Sequence, residues 1–253
     1  MQPAIDDTAK PRRSRQIYGR RVGRPLTEDL SRQIAERLPV LRLDLSEPAP
    51  PALSTLFTAP VDEVWLEVGF GGGEHLLYQA EAHRSIGFIG CEPFLSGVAK
   101  LVRGIDEAGL QSVRLYDDDA RHVLAWLPEA SIDRAFVLFP DPWPKTRHRK
   151  RRFLGDEGLG ALARVMRPGA ILRFATDIAD YAAMVTAAID SRADFRASSG
   201  LLPERPADWP LTRYAEKAVE AGRECRFFEF TRTTHDAGPS VFSETPSPFG
   251  KAI

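Results

Sequence analysis

Trp65-Leu66-Glu67-Val68-Gly69-Phe70-Gly71-Gly72-Gly73 is an apolar run that breaks into glycines, and Glu74-His75-Leu76-Leu77 follows it. The pattern reads as a buried strand turning tightly into a helix, with glycines that let backbone approach a ligand. A plain strand-to-helix turn would account for the glycines alone, so the neighbouring residues must say more. The dinucleotide fingerprint Gly-x-Gly-x-x-Gly does not fit: counted from Gly69 the sixth position is Glu74, and counted from Gly71 it is Leu76. Glu67, two residues before the glycines, suits a ligand ammonium rather than a pyrophosphate.

Outward from this stretch, short apolar runs alternate with amphipathic ones, the signature of βαβ units around a parallel sheet. The runs predict strands over Glu63–Val68, Ile86–Cys91, Ser112–Tyr116, Arg134–Phe139, Ala170–Ala175 and Cys225–Thr231. Helices are expected over Glu74–His83, Leu95–Ala108, Ala120–Trp126, Glu157–Val165 and Ile178–Ile189. Before the sheet, Thr27 caps a further helix expected to run from Glu28 to Leu38 and to stop at Pro39. Residues 1–24 read as a basic, flexible arm, 25–234 as a single domain, and the Pro- and Ser-rich 235–253 as a loose tail. At 253 residues, 43% apolar and 27% charged, the chain can build a core and is not globally disordered. It shows no apolar stretch of membrane-spanning length and no signal peptide, and Cys91 and Cys225 fit neither a disulfide framework nor a zinc spacing. A reduced, cytoplasmic setting is the expectation.

In open α/β sheets ligands bind beyond the carboxyl ends of the strands, and polar residues collect at those ends here. The second strand ends in Glu92, about twenty residues past the glycines, where a carboxylate can accept both ribose hydroxyls of an adenosine. The third ends in Asp117-Asp118-Asp119, of which one can cap the next helix. Glu67, Glu92 and the acidic run together point to an amine-bearing adenosine compound, of which S-adenosylmethionine is one. The fourth strand delivers Phe139-Pro140-Asp141-Pro142-Trp143-Pro144-Lys145, whose prolines stiffen the loop and project Asp141 from a rigid support. Trp143 is suited equally to stacking on a base and to anchoring the loop. Directly after it, Lys145, Arg147, Arg149, Lys150, Arg151 and Arg152 place six cations in eight positions, a strip fit to hold an RNA backbone. The fifth strand ends at Thr176-Asp177, where Asp177 is either an N-cap or a ligand contact. Thr212-Arg213-Tyr214-Ala215-Glu216-Lys217 follows a proline-rich loop, a placement for a substrate lid. The five histidines have no metal-ligand spacing, and no metal is expected.

Four of these stretches, in this order, resemble the bacterial tRNA (guanine-N7)-methyltransferases of the TrmB type. They are residues 65–71, Pro140-Asp141-Pro142-Trp143-Pro144-Lys145 running into Arg147–Arg152, Phe174-Ala175-Thr176-Asp177, and Thr212-Arg213-Tyr214. The resemblance implies an α/β fold of the Rossmann-like S-adenosylmethionine-dependent methyltransferase kind. Its sheet would be seven-stranded and mostly parallel, with an antiparallel last strand. It implies Asp141 as the catalytic residue, and S-adenosylmethionine held by Glu67, Gly69, Gly71, Gly73, Glu92, Asp119 and Asp141. Lys145, Asp177, Thr212, Arg213, Tyr214 and Glu216 would contact the substrate. Arg147, His148, Arg149, Lys150, Arg151 and Arg152 would touch tRNA, whose variable-loop guanosine 46 would be methylated at N7. Ala215 stands where the family has Glu, with Glu216 beside it as the residue to replace it. The protein is expected to act as a monomer or homodimer without an obligate protein partner. Amino-group methylation and a non-catalytic RNA-binding role are the rival readings.

The net charge of −1 fits an RNA partner once the charges are located. Seven cations and no acid lie between Thr8 and Thr27, six more lie between Lys145 and Arg152, and the remainder of the chain is strongly acidic. Two concentrated cationic surfaces on an acidic body favour a local contact with nucleic acid over indiscriminate binding.

Overall fold

A computed structural model of the chain describes Arg21 and residues 25–234; the rest of the expected arm and the expected tail lie outside the described residues. Seven strands form one sheet: β1 Glu63–Val68, β2 Ile86–Cys91, β3 Val113–Tyr116, β4 Ile132–Leu138, β5 Met166–Thr176, β6 Phe195–Leu202 and β7 Arg226–Arg232. Their order is β3-β2-β1-β4-β5-β7-β6. The pairings from β3 through β5 are parallel, whereas β7 runs antiparallel to both β5 and β6. The expected class is therefore observed, including the reversed last strand.

Every residue of β2, and all of β1 after Glu63, is buried, as continuous apolar strands covered on both faces must be. Side chains alternate between those faces. Val64, Leu66 and Val68 join the core under α4 (Ala120–Trp126), α5 (Asp156–Val165) and α6 (Ala179–Asp190). Trp65 joins the core under α1 (Glu28–Leu41), α2 (Glu74–Ala82) and α3 (Leu95–Glu107). Glu67 shares the face of Trp65.

Beyond shifts of up to four residues in element bounds, such as the early start of β5 at Met166, three elements differ from expectation. Pro39 lies inside α1 rather than ending it. The missing N–H leaves one carbonyl without its helical partner, but Leu38 and Leu41 are buried and hold the last turn in place. Strand β6 escapes a reading by hydrophobic pattern because it is an edge strand, with only Phe195 fully buried. The segment expected to form a lid is a helix, α7 (Arg213–Glu220), which buries only Ala215 and Ala218.

Candidate active site

The chain steps outward from β1 to β2 and β3, then crosses back to β4 on the other side of β1, so the carboxyl ends of β1 and β4 form the switch point of the sheet. A cavity of about 500 Å³ opens there, within the range of small-ligand sites. One wall is the glycine turn: Gly69 and Gly71, both at positive φ, lead from β1 toward α2. A Cβ at Gly97 of α3 would sit 1.9 Å from the carbonyl oxygen of Gly71, so only glycine lets the helix approach the turn this closely. Gly73 also has positive φ, but it packs on Leu101 as the N-cap of α2 and is not on the cavity wall.

Glu92 lies at the end of β2, buried and on the wall. Its Oε2 accepts from Gly71 N at 2.8 Å and its Oε1 from Phe94 N at 2.9 Å. Burial raises its pKa, the two backbone amides pull it down, and the nearby Asp141 pushes it up. Each oxygen keeps a further acceptor site, so the residue fits the ribose diol of an adenosine. Asp119 also lines the cavity, while its Oδ1 caps α4 through Arg121 N at 3.0 Å and its carboxylate pairs with the Arg121 guanidinium. The acidic run divides rather than acting as a unit. Asp117 faces Arg42 at 2.8 Å and Asp118 faces Arg21 at 2.9 Å, so each of the three acids has its own arginine.

The opposite wall is the loop after β4. Phe139 (φ 50°) and Trp143 (φ 41°) are both in the left-handed region that L-residues avoid, a cost of about 1–3 kcal/mol each. Pro140, Pro142 and Pro144 stiffen the loop, and Arg152 Nε donates to the Pro142 carbonyl at 2.9 Å. Asp141 is accessible from the cavity, and the protein around it raises its carboxyl pKa by desolvation. Trp143 is half-buried on the same wall, with the Arg151 guanidinium 5.0 Å from its ring and His148 edge-on at 5.9 Å. Trp143 thus packs within the loop and still keeps a place on the cavity wall.

From above, α7 presents Arg213, Tyr214 and Lys217 to the cavity, and the Tyr214 ring packs on Gly71, where a Cβ would meet it at 2.8 Å. Burial, then Glu92 and Asp141, raise the Tyr214 pKa and keep it a neutral phenol. Lys217 and Lys100 were not singled out in the sequence; Lys217 becomes legible once 213–220 is seen as a helix, four residues from Arg213 on one face.

Several expected site residues lie elsewhere. Glu67 is turned from the cavity by strand alternation, and its Oε2 meets His75 Nδ1 at 2.7 Å. Thr212 is the N-cap of α7, accepting from Ala215 N. Glu216 is exposed and off the cavity wall, and Ala215 beside it is buried. Asp177 is neither an N-cap nor on the wall; Ile178 occupies the N-cap position of α6 without a side-chain cap, and Asp177 pairs with Arg223 at 2.6 Å. Arg152 is 3% exposed, bidentate to Asp180 at 3.0 Å and set over the Tyr181 ring at 4.7 Å, which removes it from any RNA-facing surface. Lys145, Arg147 and Lys150 are exposed, and Arg149 pairs with Asp180 at 2.8 Å, on or beside a 3₁₀ turn over Thr146–Arg151. Among the described residues no group of histidine, cysteine and carboxylate side chains is arranged to hold a metal, and no helix is long and apolar enough to cross a membrane.

Comparison with known proteins agrees with this geometry. A family described as a putative methyltransferase matches residues 62–228. The tRNA (guanine-N(7)-)-methyltransferase of Rhizobium meliloti (strain 1021) is 44% identical over 233 residues, 90% of this chain and all of that protein. The protein of the same name from Rhodospirillum rubrum is 42% identical over 249 residues, 95% of this chain and 97% of its own length. Among solved structures, a 16S rRNA (adenine(1408)-N(1))-methyltransferase from Catenulisporales acidiphilia shares the fold, with TM-score 0.53 and 18% identity over 77% of this chain and 95% of that one. The chain belongs to the bacterial tRNA (guanine-N7)-methyltransferase family of the TrmB type.

Proposed function

We propose that this protein transfers the methyl group of S-adenosylmethionine to N7 of guanosine 46 in the variable loop of tRNA. The carrying observation is one cavity that a buried ribose-type acceptor, Glu92, lines from one wall and a loop-held carboxylate, Asp141, lines from the other with Trp143 and Arg151, beside a cationic strip. When bound, the cofactor supplies an electrophilic methyl group on a sulfonium sulfur. Gly69 and Gly71 bring backbone to it, Glu92 takes the ribose, and Asp119 lies toward the adenine.

Guanine N7 carries a lone pair, so it needs no base to become a nucleophile. The N7–methyl bond forms as the sulfur–methyl bond breaks, the bonding pair leaves with sulfur, and the purine gains positive charge. Orientation is then the main demand on the protein, and the loop-held Asp141 meets it while offsetting the new charge. Trp143 offers a face for a base, and Lys145, Arg147, Arg149, Lys150 and Arg151 neutralise phosphates. Arg213, Tyr214 and Lys217 close the site from above.

The position is tested with two unmodified tRNA transcripts that differ only in guanosine or adenosine at 46. Methyl incorporation is expected into the first alone; equal incorporation into both would overturn the assignment to that nucleoside.

A further inference from the structure

The carboxylates on the cavity wall are Glu74, Glu92, Asp119 and Asp141. Glu92 is aimed by two backbone amides, Asp119 pairs with Arg121, and Asp141 is held out by its proline loop. Glu74, the first residue of α2, is left without a task. It is half-buried, and its carboxylate folds back over Gly72, where a Cβ would lie 2.5 Å from Oε1 and 3.0 Å from Oε2. It stands near enough to Tyr214 to help raise the pKa of that phenol. Two lysines on the wall are also uncommitted. Lys100 comes from α3, one turn beyond Ser96 and Gly97 on the same wall, and Lys217 comes from α7. Both are exposed, and among the described residues neither lysine nor Glu74 joins an ion pair or a side-chain hydrogen bond. Helix α7 gives the wall a guanidinium, a phenol and an ammonium group but no carboxylate, since Ala215 and Ala218 are buried and Glu216 and Glu220 lie off the wall.

We infer that Glu74 accepts the α-ammonium group of S-adenosylmethionine and that Lys100 and Lys217 hold its α-carboxylate. The amino-acid end of the cofactor carries both charges on one carbon, and a site that takes it from water must answer both. With the ribose at Glu92 and the adenine toward Asp119, the methionyl chain leaves the ribose in the other direction, toward the glycine turn. That turn leads straight into Glu74, and Gly72 has no side chain to keep the Glu74 carboxylate off it. Three helices thus meet on one small zwitterion, α2 with an anion and α3 and α7 with cations. Helix α7 buries only two alanines and has little apolar packing of its own, so a cofactor that binds Lys217 also braces Tyr214 over the cavity. The inference rests on the S-adenosylmethionine reading of the cavity and adds the residues that recognise the end of the cofactor remote from adenine.

The test is calorimetric titration of the full chain as wild type, as Glu74→Gln, and as Lys100→Met combined with Lys217→Met. Three ligands are compared: S-adenosylmethionine, its decarboxylated analogue, which keeps the ammonium group alone, and 5′-methylthioadenosine, which has neither group. Glu74→Gln is expected to weaken S-adenosylmethionine and the decarboxylated analogue about tenfold each, and to leave 5′-methylthioadenosine within about twofold of wild type. The double lysine variant should lose about tenfold for S-adenosylmethionine and hold the decarboxylated analogue at least as tightly as wild type does. Retained binding of 5′-methylthioadenosine shows that each variant is folded. Variants that lose all three ligands alike, or that bind S-adenosylmethionine as wild type does, would overturn the inference. So would a double lysine variant with unchanged cofactor affinity and weaker tRNA binding, which would give those cations to phosphates. A wild type that binds none of the three compounds would overturn the cofactor reading together with this inference, whereas normal wild-type binding beside unselective variants overturns the inference alone.

Discussion

Asp141 and Arg152 stand eleven residues apart on the same loop and do opposite work. Desolvation raises the Asp141 pKa above its usual 3.8, so at neutral pH the folded chain holds a carboxylate that it disfavours. That cost is present above the folded pKa and disappears as pH falls below it. Asp141→Asn should therefore leave the Tm unchanged or higher while slowing single-turnover methylation about a hundredfold, with cofactor binding intact. Wild-type activity should fall with acidity at a pH above the ordinary aspartate range, since the working form is ionised. Near-normal turnover by the variant would remove Asp141 from the chemistry. Arg152 instead holds the loop, and Arg152→Ala should cost about 2 kcal/mol of stability, read from denaturant unfolding. The exposed Lys150→Ala should leave stability alone and lower the slope of log binding constant against log salt by about one. The sequence shows six cations in a row of eight residues, and nothing in their spacing reveals that Arg152 points inward to Asp180 and Tyr181. Asp141, by contrast, was legible because prolines on either side announce a rigid support.

At the scale of elements, the glycine turn and α3 form one surface. Gly97→Ala would drive a methyl group into the Gly71 carbonyl, at a cost of about 1–3 kcal/mol for overpacking. If that strain falls on the turn, cofactor affinity should drop about tenfold in a calorimetric titration; an unchanged Kd would show that α3 moves instead. Strands β1 and β2 coincide with their sequence bounds, because both are buried throughout and bounded by turns. Strand β6 and helix α7 left little trace for the same physical reason, namely that they bury few side chains. That is also why the placement of Glu216 and Lys217 was not legible: which residue of α7 faces the cavity depends on helical phase, and the hydrophobic pattern predicts no helix over 213–220. Glu67 lies close to the glycines, and period-two alternation turns its carboxylate toward His75 of α2.

Across the whole molecule, the switch point of the sheet brings together residues from β1, β2, β4 and α7 that lie up to about 150 positions apart. One side of the cavity suits an adenosine compound, the other a base, and the loop between them leads into the exposed cations. The net charge of −1 conceals this division, and Arg21 on Asp118 shows one cation of the arm already matched to the acidic body. The central claim is that this cavity joins a sulfonium methyl donor to a ring nitrogen of guanine in tRNA. It is tested most directly by incubating the protein with radiolabelled S-adenosylmethionine and unmodified tRNA, digesting the RNA to nucleosides and identifying the labelled product. The label should lie in 7-methylguanosine; label in an amino-methylated nucleoside, or none in tRNA, would contradict the account.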